Sequence, residues 1–166
     1  MSEQPHTERP APYHPAVLIA SWFGVGRLPW APGTWGSLAA LPFAWAIAWL
    51  FGERALLLAV LALFVAGWWA AHRVVRVSAT ADPGWIVVDE VAGQWLTLVI
   101  TPPGIIPYVA GFLLFRLLDI VKPWPARWID QNVGGGLGVM ADDIVAGFYA
   151  ATALLVLLLL MGKPIG

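Results

Sequence analysis

The chain has 166 residues, 60% of them hydrophobic and only 11% charged, with a formal net charge of −1 and no cysteine. A water-soluble domain of this size has too small a core to hide so much apolar surface, so the composition points to lipid as the solvent. Near-neutral charge argues against a nucleic-acid binder, which needs a basic patch to displace counterions. The lack of cysteine excludes disulfides, thiolate catalysis and Cys-based zinc sites.

Residues Met1–Pro15 are polar and carry Pro5, Pro10, Pro12 and Pro15. They read as a disordered tail without the residue order of a signal peptide, which leaves 16–166 as a single membrane-embedded domain. Ala16–Val25 is apolar but too short to cross a bilayer, and it predicts an interfacial helix. Pro32-Gly-Thr-Trp-Gly-Ser37 leads into the first long apolar stretch, Gly36–Phe51. Its glycines free the backbone, and Thr34 and Ser37 can cap a helix or donate to a phosphate oxygen. Glu53-Arg54 separates this stretch from Ala55–Ala71. Trp85–Thr101 carries Asp89 and Glu90 near its start, and Pro102-Pro103-Gly104 then turns the chain into Ile105–Leu118. Ile144–Met161 closes the sequence with 18 residues and no charge.

Several of these segments fall short of the roughly 20 residues that cross a hydrocarbon core, which predicts local thinning or helices that start among the headgroups. The fold class is all-α: a polytopic helical membrane protein with about four transmembrane helices plus the N-terminal interfacial helix. One orientation places Arg54 and Lys163 outside, and Arg9, Arg27, Arg73, Arg76, Arg116, Lys122 and Arg127 inside. Positive-inside bias favours it, and tryptophans such as Trp30, Trp35, Trp124 and Trp128 fall near span ends, as interfacial anchors do.

In that orientation Asp89 and Glu90 open one span, Asp119 closes the next, and Asp142 and Asp143 open the last. All lie at cytoplasmic ends. Acids inside a membrane are costly and so call for a function. Two of them share a context, Asp89-Glu-Val-Ala-Gly93 and Asp143-Ile-Val-Ala-Gly147, with a glycine one turn after the acid. Small residues let membrane helices approach closely, so two such helices packed through Gly93 and Gly147 would bring Asp89 and Asp143 face to face. Carboxylates forced together repel unless a proton or a cation intervenes. Magnesium, with its demand for oxygen ligands, is the expected cation. With His6 and His14 in the tail and only His72 beyond it, zinc is not expected. A competing reading makes these acids helix caps that complement the macrodipole, with Asp119 paired to Arg116 or Lys122.

Phe115-Arg116-Leu-Leu-Asp119-Ile-Val-Lys122 alternates base, acid and base at three-residue steps. Arg116 suits bidentate phosphate contact, and Lys122 offers a point charge. Arg127 and Asp130 repeat the spacing and read as an ordinary exposed pair. Gly134-Gly-Gly-Leu-Gly138 reads as a hinge or a phosphate cradle, with the hinge favoured because the P-loop lysine is missing.

Taken together, Pro32–Ser37, Asp89-Glu90 with Gly93, Phe115–Pro125 and Gly135–Gly147 resemble the bacterial phosphatidylglycerophosphatase A family, in the same order from about Gly24 to Gly147. One departure is Gly134, where some relatives carry a histidine before the double glycine. The resemblance implies magnesium-dependent hydrolysis of the terminal phosphate of phosphatidylglycerophosphate, giving phosphatidylglycerol, at the cytoplasmic face of the bacterial inner membrane. The expected metal ligands are Asp89, Glu90, Asp142 and Asp143, for one or two Mg2+. Asp89, Glu90, Asp119 and Asp143 form the expected catalytic set, with Asp119 as ligand or general base. Arg116, Lys122, Thr34 and Ser37 are the expected phosphate contacts. The chain has no Asp-x-Asp nucleophile motif and no Cys-x5-Arg loop. Attack by an activated water is therefore expected rather than a phospho-enzyme. The expected partner is a phospholipid in the membrane, with no nucleic acid, and a homodimer stays open. The alternatives are a phospholipid headgroup transferase, whose Asp-rich helix motif is missing, and a small cation-coupled carrier, which would place its polar groups near mid-membrane.

Overall fold

A computed structural model of the chain describes Ala11, residues 13–78 and residues 83–162. Most of the expected disordered tail, with Arg9, and also Lys163 lie outside the described residues. The helices are α1 (Pro15–Ala20), α2 (Pro32–Phe51), α3 (Glu53–Val75), α4 (Val88–Leu98), α5 (Ile105–Val121), α6 (Ala126–Asn132) and α7 (Gly135–Leu160). There is no strand among the described residues.

Three helices are long and apolar enough to cross a membrane: α2 with 20 residues, α3 with 23 and α7 with 26. The expected count of about four is not reached on length and composition, because α5 stops at 17 residues and α4 at 11. At 1.5 Å per residue α4 is about 16 Å long, roughly half of a hydrocarbon core. Pro102 and Pro103 follow it and cannot continue the hydrogen-bond ladder.

What α4 lacks in length it has in burial. Nine of its 11 residues are buried, whereas the outward faces of α2 and α3 expose residues such as Trp49 (72%) and Leu58 (67%). A short central helix ringed by longer ones with apolar outer faces is the inside-out surface pattern that lipid permits. Val87, Val91, Trp95 and Leu98 pack against Ala40, Ala44 and Ala48 of α2, and Trp95 Nε1 donates to the Ala40 carbonyl at 2.9 Å. The Trp22 ring meets Trp95 edge-on at 5.6 Å. The N-terminal apolar segment ends its helix earlier than expected. Trp22 and Phe23 adopt φ of 46° and 57°, which a right-handed helix cannot accommodate. Ala16, Val17 and Ala20 are buried, in a cluster with Ala70, Ala71 and Val74 of α3.

Three motifs take a different local form from the expected one. Pro32–Ser37 is not a lead-in but the first turns of α2: Ala31 has φ 46° and Pro32 occupies a first-turn position, where its missing N–H costs nothing. Ser37 is therefore inside the helix, its Oγ donating to the Gly33 carbonyl at 2.9 Å, and neither it nor Thr34 is a cap. The glycine run likewise opens α7 instead of hinging before it. Gly136 has no side chain because the backbone of α3 at Trp68 and His72 passes against it. As a consequence Asp142 and Asp143 lie about two turns inside α7, beyond the reach of helix capping. Of the five acids expected at helix ends, only Asp89 and Glu90 sit in a first turn.

The glycine seam between α4 and α7 is as the spacing suggested. A Cβ on Gly147 would stand 2.7 Å from the Gly93 carbonyl oxygen and 3.1 Å from its Cα, and one on Gly93 would stand 2.6 Å from the Asp143 carbonyl oxygen. Backbone blocks both positions, so nothing flexible can yield. Gly147→Ala should lower stability by about 1–3 kcal/mol through overpacking, read as a lower midpoint of thermal unfolding in detergent. An unchanged midpoint would show the seam to be loose.

Candidate active site

The first turn of α4, the last of α5, the end of α6 and the first turns of α7 enclose a cavity of about 530 Å³. Six carboxylates line it, Asp89, Glu90, Asp119, Asp130, Asp142 and Asp143, against two cations, Arg116 and Lys122. Negative charge thus exceeds positive by four in a partly buried space, and the surplus must be met by protons or by added cations.

The tightest group is Asp89, Glu90 and Asp143, each offering one carboxylate oxygen with all three within 4.8 Å of one another. The glycine seam causes this, because each Asp lies four residues before its glycine. Asp89 Oδ1, Glu90 Oε2 and Asp143 Oδ2 are buried and without a hydrogen-bond partner. Converging, unpaired carboxylate oxygens are the donor set that a hard divalent cation takes.

Asp142 stands apart from that group. Its carboxylate is ion-paired with Lys122, whose ammonium also reaches Asp130 at 3.2 Å. Burial works against the Lys122 charge, but Asp142, with Asp143 and Asp130 adding to it, more than offsets this and holds the ammonium above the ordinary lysine range. Lys122 can take this position because it ends α5 in the left-handed region, at φ 47°, directly before Pro123. Arg116, nearly two turns back on α5, donates to Asp119 at 2.5 Å and to Ser37 Oγ at 3.4 Å, with Glu90 at 4.0 Å. Glu90 and Arg116 lie over Gly33 of α2: a Cβ there would overlap the Glu90 carboxylate and stand 3.2 Å from Arg116 Nη1. Gly33 is thus a cradle for the pair.

Of the expected phosphate contacts, Arg116 and Lys122 line the cavity, whereas Thr34 and Ser37 do not. Ser37 acts on the site through Arg116, and Thr34 stays on the half-buried outer part of the first turn of α2. Asp130, expected to pair with Arg127, pairs with Lys122 instead, because α6 folds back over the end of α5. Gln131, Asn132, Gly134, Gly135 and Gly138 complete the wall. The prolines at 123 and 125 were the one sequence signal for that reversal.

The fold and the cavity together define an all-helical membrane protein whose polar chemistry is gathered at one end of its helix bundle. The family model described as phosphatidylglycerophosphatase A matches residues 18–158, and the chain belongs to that family. Phosphatidylglycerophosphatase A of Escherichia coli K12 is 44% identical over 141 residues, covering 84% of this chain and 80% of the relative. Its Haemophilus influenzae counterpart is 36% identical over 138 residues, covering 82% and 85%. A Bacteroides thetaiotaomicron protein provisionally named phosphatidylinositol-3-phosphatase is 43% identical, covering 81% and 87%. No solved structure matches the chain.

Lys122→Met leaves the Asp142 carboxylate, only 5% exposed, without its counter-ion. The loss should be about 3 kcal/mol, the low end for a broken buried pair because Lys122 keeps some solvent contact. Adding Asp142→Asn should recover most of it, which a double-mutant cycle in detergent measures. The folded-state pKa of Lys122 is raised, so its contribution is complete below the ordinary lysine value of 10.5 and is lost only as pH climbs through the raised value. On account of Lys122 the wild-type protein should therefore lose no stability between about pH 7 and about pH 9.

Proposed function

We propose that this protein hydrolyses the terminal phosphate of phosphatidylglycerophosphate to give phosphatidylglycerol, with magnesium, at the cytoplasmic face of the bacterial inner membrane. The observation that carries the reading is the convergence of Asp89, Glu90 and Asp143 within 4.8 Å, beside Arg116 in a cavity with four surplus negative charges. A dianionic phosphate monoester cannot enter such a space unless cations accompany it. Asp89, Glu90 and Asp143 would hold the ion, while Asp142 serves Lys122. Magnesium, when bound, supplies the electrostatic neutralisation of phosphoryl oxygens and the acidification of water that such hydrolysis needs.

The chain's own groups divide the remaining work. Arg116 presents its guanidinium to the phosphoryl oxygens, oriented from behind by Asp119 and Ser37. Asp119, which neighbours Asp143, takes the proton released as water oxygen bonds to phosphorus and returns it to the alkoxide oxygen that leaves as the ester P–O bond breaks. Lys122, fixed between Asp130 and Asp142, sets a positive charge at the rim, where the substrate's second phosphate passes. In the membrane we read α5 as a fourth crossing helix and α4 as a half-depth helix. The basic residues Arg27, Arg73, Arg76 and Arg127 then lie on the same side as the cavity.

Purified protein in mixed micelles should release inorganic phosphate from phosphatidylglycerophosphate, lose that activity on chelation and regain it with magnesium. Phosphatidylinositol 3-phosphate, the substrate in the name of the Bacteroides relative, is the comparison lipid. Faster release from it would displace the proposed substrate while leaving the site. Asp89→Asn and Asp143→Asn should each lower the rate by about a hundredfold or more with normal membrane insertion. Full activity in both would remove the metal assignment, and no phosphate release from either lipid would remove the phosphatase reading.

A further inference from the structure

One buried polar side chain near the site has no role in it so far, Gln94. It is fully buried, and both its Nε2 and its Oε1 lack a hydrogen-bond partner. Buried amides are otherwise almost always satisfied, so an unpaired one marks a function or a partner. Two atoms of the site are also buried and unpaired, Glu90 Oε2 and Arg116 Nε, and their side chains approach to 4.0 Å. Gln94 is one turn after Glu90 on the same face of α4. Its neighbour Gly93 packs on the Phe115 ring, where a Cβ would stand 2.6 Å from Cε2, and Phe115 directly precedes Arg116. The chemistry matches atom for atom. Arg116 Nε–H needs an acceptor and Gln94 Oε1 is one, and Glu90 Oε2 needs a donor and Gln94 Nε2 is one.

We infer that Gln94 is a positioning residue for phosphate recognition: its amide, directly or through one water, ties the inner edge of the Arg116 guanidinium to Glu90 and fixes the fork for an incoming phosphoryl group. The inference rests on the proposed phosphatase reading and adds to it. In the structure Arg116 Nη1 is held by Asp119 and Ser37. A phosphate drawing the fork into the cavity loosens those bonds, and Nε then becomes the anchor. A neutral amide suits this task, because another carboxylate would add to the charge surplus and another cation would compete with the metal for Glu90.

The test uses Gln94→Leu, of similar volume and without polar atoms, in full-length protein with magnesium present. Binding of inorganic phosphate is read by calorimetry, alongside KM and kcat with lipid. Phosphate affinity should fall about tenfold, as when a hydrogen bond to a charged group is lost. KM should rise in parallel and kcat stay within about threefold. Thermal stability of the phosphate-free protein should be unchanged, since there neither the amide nor the two site atoms it would serve has a partner. A purely structural residue would give the opposite pattern, with lower stability and unchanged phosphate affinity, and that result overturns the inference. If Gln94→Leu does not fold, Gln94→Met takes its place, and failure of both to fold equally assigns a structural role. Because phosphate binding is measured apart from turnover, a wild-type protein inactive on lipid would defeat the proposed function without deciding this point.

Discussion

The architecture depends on one backbone contact, Gly93 of α4 against Gly147 of α7. With no side chain on either residue the two helices approach to the limit set by their carbonyls. Contacts at both the glycines and the acids mean that the helices run in the same direction. Equal offsets of four residues then bring Asp89 and Asp143 level. Thr97 strengthens the seam, its Oγ1 donating to the Gly93 carbonyl at 2.9 Å and lying 3.4 Å from that of Gly147. Dispersion and such polar contacts replace the hydrophobic effect inside a bilayer.

That contact also creates an electrostatic debt, because it concentrates carboxylates where water is scarce. The protein answers in two ways. Asp119 and Asp142 are each given a cation from the same short stretch of α5, Arg116 and Lys122. Asp89 and Asp143 are given none and Glu90 only Arg116 at 4.0 Å, and all three, like Asp142, keep an oxygen without a hydrogen-bond partner. Within one cavity there are thus neutralised acids that set geometry and unneutralised ones with free coordination. The difference between the two sets is one of partners rather than of residue type.

What could be read from the sequence was what local pattern controls. Apolar stretches gave the helical membrane architecture, and the repeated acid-to-glycine spacing gave the meeting of α4 and α7, because both are properties of consecutive turns. Other features belong to tertiary structure and have no local signature. Asp142 looked equivalent to Asp143, yet a rotation of 100° along α7 turns it to Lys122. Asp130 looked like the partner of Arg127 until α6 folded back. Thr34 and Ser37 looked like caps because nothing in Pro32–Ser37 shows that the backbone turns at Ala31 rather than beyond Ser37. Gln94 drew no attention because one amide in an apolar helix is informative only once its neighbours are known.

The short length of α4 has a consequence beyond packing. Every group that contributes chemistry sits at one end of the bundle, on the first turns of α2, α4 and α7 and at the ends of α5 and α6, so the far halves of α2, α3 and α7 carry none of it. Bilayers differ in thickness between organisms and with growth temperature, and a helix must tilt or be trimmed to match. Here that adjustment falls on apolar ends well away from the carboxylates. The depth of the reactive groups below their own leaflet is then independent of how thick the rest of the membrane becomes.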